Sequence, residues 1–173
     1  MKQLNFIRIA GVFFALVVTF TASAAEKSLG EFRGWQAYSF PENGRTVCVV
    51  WGQPRKAEGK YKKRGDIRVF IAHRSWTKPK RLHEISFEAG YAFQKGSEAT
   101  VIIDRKKYVL FTDGDTAWNR EPKDDAAMVR AMRGGKQLII RGVSSRGTKT
   151  KDTFSLLGFT AAHNAINKAC KVK

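Results

Sequence analysis

The chain has 173 residues, of which 43% are hydrophobic and 12% aromatic, with 32 Lys and Arg against 15 Asp and Glu for a net charge of +17. So many aromatics with only four prolines exclude an intrinsically disordered chain. The length fits one domain with a real core behind a short leader.

Residues 1–25 read as a signal peptide. Lys2 and Arg8 form a positive n-region, Ile9 to Phe20 an apolar run, and Ala22-Ser23-Ala24 a small-residue cleavage site. The apolar run falls short of the ~20 residues a spanning helix needs. No transmembrane anchor is expected after cleavage, and no Cys follows the site to take a lipid. Cleavage removes Lys2 and Arg8 and leaves a basic domain, residues 26–173, of charge +15.

The mature chain reads mostly as β. Phe32 to Phe40 and Thr46 to Trp51 flank Pro41-Glu-Asn-Gly44, where Asn-Gly accepts the positive φ angles of a tight hairpin turn. Gln53 to Gly65 is a basic, glycine-punctuated loop. Ile67 to Arg74 is a strand apolar on both faces in its middle, and Trp76 to Arg81 is another loop. Glu84 to Phe87, Gly90 to Phe93 and a turn at Lys95–Ser97 follow. Ala99 to Ile103 and Tyr108 to Phe111 form a hairpin across Asp104–Lys107.

A short helix with Met128, Val129 and Met132 on its apolar face comes next, capped by Asp124 or Asp125 and ended by a left-handed Gly134. Leu138 to Val143 and Thr153 to Leu157 then flank a basic loop, Ser144–Lys151. Thr160 to Cys170 closes the chain as a helix, with Ala162, Ile166 and Ala169 at helical spacing. Short strands joined by glycine-bearing turns predict an antiparallel β-sandwich with immunoglobulin-like layers and one or two short helices.

Cys48 and Cys170 are the two cysteines, and an even pair in an exported chain predicts a disulfide. Closing ~120 residues stabilises by up to about 4–5 kcal/mol on the chain-entropy account. The competing reading makes Cys48 a nucleophile with His73 or His83 as base, but the apolar run Val47–Trp51 argues for burial. His73 alternates with Ile71 and Val69, which places it in a core or interface. His83 lies at a loop edge and His163 on the last helix, and no pair shows zinc-ligand spacing. No metal ligand, cofactor site or catalytic residue is therefore expected.

Asp113-Gly-Asp115 has two carboxylates for calcium but lacks the further oxygens such a loop needs, so it reads as a turn. Asp66, Glu88 and Asp104 are the acids a small hydrolase would use, though their separation is not in the sequence. No nucleophile elbow, P-loop or dinucleotide fingerprint is present.

The basic clusters are the strongest compositional signal. They are Lys60 with Lys62-Lys63-Arg64, Lys78 with Lys80-Arg81, Arg105-Lys-Lys107, and Arg146 with Lys149 and Lys151, all in predicted loops. They either spread as a solvated surface or gather into a patch for an anionic partner. The candidate patch is Lys62, Lys63, Arg64, Lys80, Arg81 and Arg146. Its partner would be an anionic envelope lipid or polysaccharide, or a host-surface component. Nucleic acid is not expected for an exported chain.

One pattern runs along the whole mature chain. It comprises Trp35, Cys48 with Pro54, Arg64-Gly-Asp66, Gly90-Tyr-Ala-Phe93, Leu110-Phe-Thr112, Ala117-Trp118, and Ala131-Met132 with Gly134. Gly147-Thr148, Asp152-Thr153, Ser155-Leu-Leu-Gly-Phe159 and Cys170 complete it. In these residues the chain resembles the invasion-associated locus B (IalB) family of exported bacterial proteins. The resemblance implies a periplasmic, surface or secreted β-sandwich, linked in pathogenic members to host-cell invasion, with no catalytic residues to carry over. Arg64-Gly-Asp66 imitates an integrin-binding tripeptide, but its place before a buried strand predicts a strand-entry turn.

Overall fold

The structure, a computed structural model, describes residues 26–172, so the expected leader lies outside the described residues. Eleven strands and two helices follow in order. They are β1 (Lys27–Phe32), β2 (Trp35–Glu42), β3 (Arg45–Gly52), β4 (Lys56–Glu58), β5 (Arg68–Arg74), β6 (Arg81–Glu88), β7 (Glu98–Ile103), β8 (Lys106–Asp113), β9 (Thr116–Trp118), α1 (Pro122–Gly134), β10 (Gln137–Val143), β11 (Lys149–Ser155) and α2 (Phe159–Ala169).

The mainly antiparallel β fold with two short helices is as expected. Its strands form one continuous hydrogen-bonded ladder, ordered β1-β2-β3-β5-β6-β9-β8-β7-β10-β11-β4. Only three residues separate β3 from β4, yet β4 pairs with β11 at the far edge. Such a connection reaches at most ~14 Å, so the ladder must fold back until its far edge lies beside β3. One hydrophobic core results, with Val50, Ile71 and Phe87 from one half of the ladder and Val101, Leu138 and Phe154 from the other. α1 and α2 contribute Met128, Met132, Phe159 and Ile166. The Trp35 indole donates to the Ser155 carbonyl at 3.0 Å and packs edge-on against Phe159, tying β2 to β11 and α2.

The Asn-Gly turn is as read: Asn43 and Gly44 both have positive φ, 53° and 72°, between the paired residues Glu42 and Arg45. This is the type I′ geometry that matches strand twist. Asp113-Gly-Asp115 is likewise the tight turn between β8 and β9, with Gly114 at φ 56°. Cys48 on β3 is bonded to Cys170 after α2.

Several local expectations differ. β1 precedes the first predicted strand, and β4 lies in a predicted loop; both are edge strands with weak apolar alternation. β11 begins at Lys149, so the basic loop is shorter than expected. Lys149 and Lys151 point outward in a strand whose Thr150, Asp152 and Phe154 face inward. α1 starts one turn earlier, with Glu121 as N-cap and Pro122 in its first turn, where a missing amide costs nothing. Asp124 and Asp125 therefore lie inside the first turn and do not cap it. Gly134 is the last helical residue, and Gly135 leaves in an extended conformation (φ −88°, ψ 166°).

Candidate functional site

Arg64 is not a free member of a basic patch. Its Nη1 and Nη2 donate to Asp152 Oδ1 and Oδ2 at 2.7 and 2.6 Å, and its Nε donates to the Ala89 carbonyl at 2.7 Å. The guanidinium also lies over the ring of Tyr91, 4.8 Å from its centroid, and Tyr91 stacks on Tyr61. Both charged side chains are nearly excluded from water. A bidentate pair of this kind has directional strength, and leaving one partner alone is costly. Gly90 permits the crossing: its φ is 69°, and a Cβ there would strike the Gly65 carbonyl oxygen. Asp66, beside them, is exposed and paired with Arg68 at the entry to β5, the expected strand-entry role for this tripeptide.

This knot clamps the 59–66 loop to β11. Gly59 sits against Thr150 and the Lys149 carbonyl, so the loop adjoins the 144–149 turn. Lys60, Lys62, Lys63, Arg146 and Lys149 are exposed there, and none has a carboxylate in ion-pair range among the described residues. Lys80 and Arg81 do not join them. They lie at the β5–β6 turn, whereas Arg64 bonds to Ala89, just past the far end of β6. Seven residues of strand put ~20 Å between the two ends. Arg81 is also paired with Glu84. The sequence cluster thus divides into a basic end formed by two loops, a structural arginine, and a separate turn.

A second constellation had no sequence signature. His73 on β5, His83 on β6 and His163 on α2 are all the histidines of the chain, and they converge within 4.8 Å. The device is a β-bulge: between the pairs Ala72–Glu84 and Arg74–Arg81, both Leu82 and His83 stand opposite His73. His83 takes a left-handed φ of 61°, and bulges commonly re-aim side chains in this way.

The donors fix every tautomer. The His83 amide can only donate, and it donates to His73 Nδ1 at 3.0 Å, so His73 carries its proton on Nε2 and donates to Asn167 Oδ1 at 2.7 Å. Asn167 Nδ2 and Arg133 Nη1 both face His163 Nδ1, at 3.5 and 3.3 Å, which makes that atom an acceptor. His163 therefore donates from Nε2 to His83 Nδ1 at 3.1 Å. The circuit closes through the His83 backbone, and each imidazole in it is neutral. Burial is the main reason that His73 is pushed down to about 4, against the hydrogen bond to Asn167 that works to raise it, and that His163 is pushed down to about 3, where Arg133 adds to the effect. His83 is lowered by burial and by Arg130 and Arg133.

A metal-bound imidazole needs a proton on its other nitrogen to bond an acceptor. In His73 and His163 that other nitrogen already faces an obligate donor, and Arg133 adds positive charge. The ring is therefore a hydrogen-bonded latch joining sheet, bulge and helices, and the three histidines as arranged do not fit a shared metal. Cys48, in its disulfide, is no nucleophile for them.

The family described as invasion associated locus B (IalB) protein matches residues 35–167. Among solved structures, the crystal structure of invasion associated protein b from Bartonella henselae is similar to this chain. The TM-score is 0.55 at 14% identity, over 84% of this chain and 97% of that one, a likeness of fold. No curated protein matches the sequence.

Proposed function

We propose that this chain, which belongs to the invasion associated locus B family, is an exported, non-enzymatic protein of the bacterial envelope or surface that docks anionic material through its basic end. The observation that carries the reading is the meeting of the 59–66 loop with the 144–148 turn and the start of β11, with five exposed cations that have no ion-pair partner among the described residues. Cations gathered within a Debye length of ~8 Å sum their potentials, which steers an anionic surface to one side of the molecule. The disulfide fits an oxidising compartment, and no helix among the described residues is long and apolar enough to cross a membrane. The histidine latch is internally satisfied, and the buried Arg64–Asp152 pair is structural, so neither offers a reacting group. Docking to anionic envelope lipid or polysaccharide, or to host-surface glycans, would serve host-cell contact.

The test compares binding of wild type and a Lys62→Gln, Lys63→Gln, Arg146→Gln variant to phosphatidylglycerol vesicles, lipopolysaccharide and heparin at two salt concentrations. Charge-driven docking weakens with salt and in the variant, while the melting temperature stays put. Binding that ignores both changes would overturn the reading.

A further inference from the structure

The outward face of the ladder carries an ordered row of aromatic rings. Successive strand pairings place Trp51 opposite Phe70, Phe70 opposite Ser86, Ser86 opposite Trp118, and Trp118 opposite Phe111. All four aromatics are half-buried, while the alternate residues of the same strands fill the core. Cross-strand aromatic neighbours support one another, as the stacked Phe111 and Trp118 show at 5.5 Å. Ser86 breaks the row. Strands lie ~4.8 Å apart, so Phe70 and Trp118 flank a slot roughly 10 Å wide between backbones.

Two cavities of about 590 and 560 Å³ adjoin this row and share Arg81, Glu84, Ile85 and Trp118, so they form one groove with Trp118 between its halves. Each volume lies in the range of small-ligand sites. The charged groups beside the rings are paired: Arg74 with Glu42 and Glu84, Arg81 with Glu84, and Arg68 with Glu88. Asp125 lines one half and is almost wholly buried. The bonds it accepts, from the Ile85 amide and Asn119 Nδ2, both fall on Oδ1, which leaves Oδ2 for a ligand donor.

We propose that this groove binds a neutral oligosaccharide, with Trp118 as the central stacking wall and the flanking carboxylates and guanidinium groups bonding the hydroxyl rim. A pyranose ring presents an apolar C–H face to an aromatic plane and a rim of hydroxyls that both donate and accept. The groove offers both kinds of partner, and its lining sets six carboxylates against three guanidinium groups and Lys80, the reverse of the basic end. A purely apolar ligand would leave those ions facing hydrocarbon, and an anionic one would meet twice as many carboxylates as guanidinium groups. The site is independent of the anionic docking proposed above.

The experiment titrates the purified mature protein with chitohexaose, maltohexaose and mannohexaose, read by calorimetry and by tryptophan fluorescence. At least one should bind saturably. Trp118→Ala and Ser86→Phe, which respectively remove the wall and fill the slot, should each weaken that binding roughly tenfold or more. The Lys62, Lys63, Arg146 variant should bind as wild type does. Absence of wild-type binding to all three at millimolar sugar would overturn the proposal. So would wild-type affinity in a folded groove variant, or loss of sugar binding in the basic-end variant. Should Trp118→Ala fail to fold, Ser86→Phe, which deletes no packed ring, decides.

Discussion

His163 Nε2 donates to His83 Nδ1 at 3.1 Å, although the two residues are 80 apart in the chain and neither is in a motif. That contact closes a hydrogen-bonded circuit whose members must all be neutral, which makes the join between sheet and α2 sensitive to acid. His73 and His163 have folded pKa values of about 4 and about 3, below the ordinary 6.5. The unfolded chain therefore takes up protons first as pH falls. The stabilisation is complete above pH 6.5 and is lost as pH drops from there toward 4 and 3. At pH 4.5 each ring should cost on the order of 2 kcal/mol. Thermal melts from pH 7.5 to 4.5 should fall, and His163→Gln should flatten the slope; an unchanged slope in that variant counts against the latch.

Asp125 works in the opposite sense. Burial raises its carboxyl to about 6, so the folded state holds the extra proton between pH 3.8 and 6, and stability declines as pH rises through that window. Asp125→Asn should remove this contribution and make the loss of stability on acidification steeper. Chemical denaturation at pH 4.5 and 7 measures both slopes.

The Arg64–Asp152 pair separates structural from surface charge. Asp152→Asn leaves a buried guanidinium without its bidentate partner and should destabilise by about 3–5 kcal/mol. Lys62→Gln and Lys63→Gln, at exposed neighbours, should stay within about 0.5 kcal/mol of wild type. Denaturant midpoints compare the three, and equal effects would remove Arg64 from its assigned role.

The Cys48–Cys170 bond ties β3 to the residue after α2, next to the histidine circuit. Cys170→Ala should cost about 2–5 kcal/mol. Non-reducing intact mass of exported protein should be two hydrogens below the reduced mass. Two free thiols in that material would exclude the bond from the native state.

The proposed leader has its own measurement. N-terminal mass spectrometry of protein recovered from the periplasm or medium should begin near Ala25 or Glu26, as the Ala22-Ser23-Ala24 site implies. Recovery with residues 1–20 intact would contradict cleavage.

Local chemistry was legible wherever neighbouring residues decide the backbone. Asn43-Gly44 announced its turn because few other pairs tolerate two positive φ angles. Val47 to Trp51 and Val69 to Ile71 announced buried strands through unbroken apolar content, and the two thiols announced their bond through their even number. The helix cap departs from the sequence pattern, because Asp124 and Asp125 match a capping pattern that Pro122 pre-empts by starting the helix earlier.

The grouping of charges and rings was decided only in three dimensions. Arg64 and Lys62 are equivalent in a run of basic letters; the fold buries one against Asp152, 88 residues away, and leaves the other in water. The histidine circuit and the aromatic row depend on register, because pairing alone determines which residues of β5, β6 and β9 stand side by side. A bulge at Leu82–His83 has no compositional mark. Composition, alternation and turn chemistry determined an antiparallel β-rich domain of high charge. Which of those charges are free was settled by long-range pairing, since contact between distant residues is a property of the folded ladder and of no short stretch of chain.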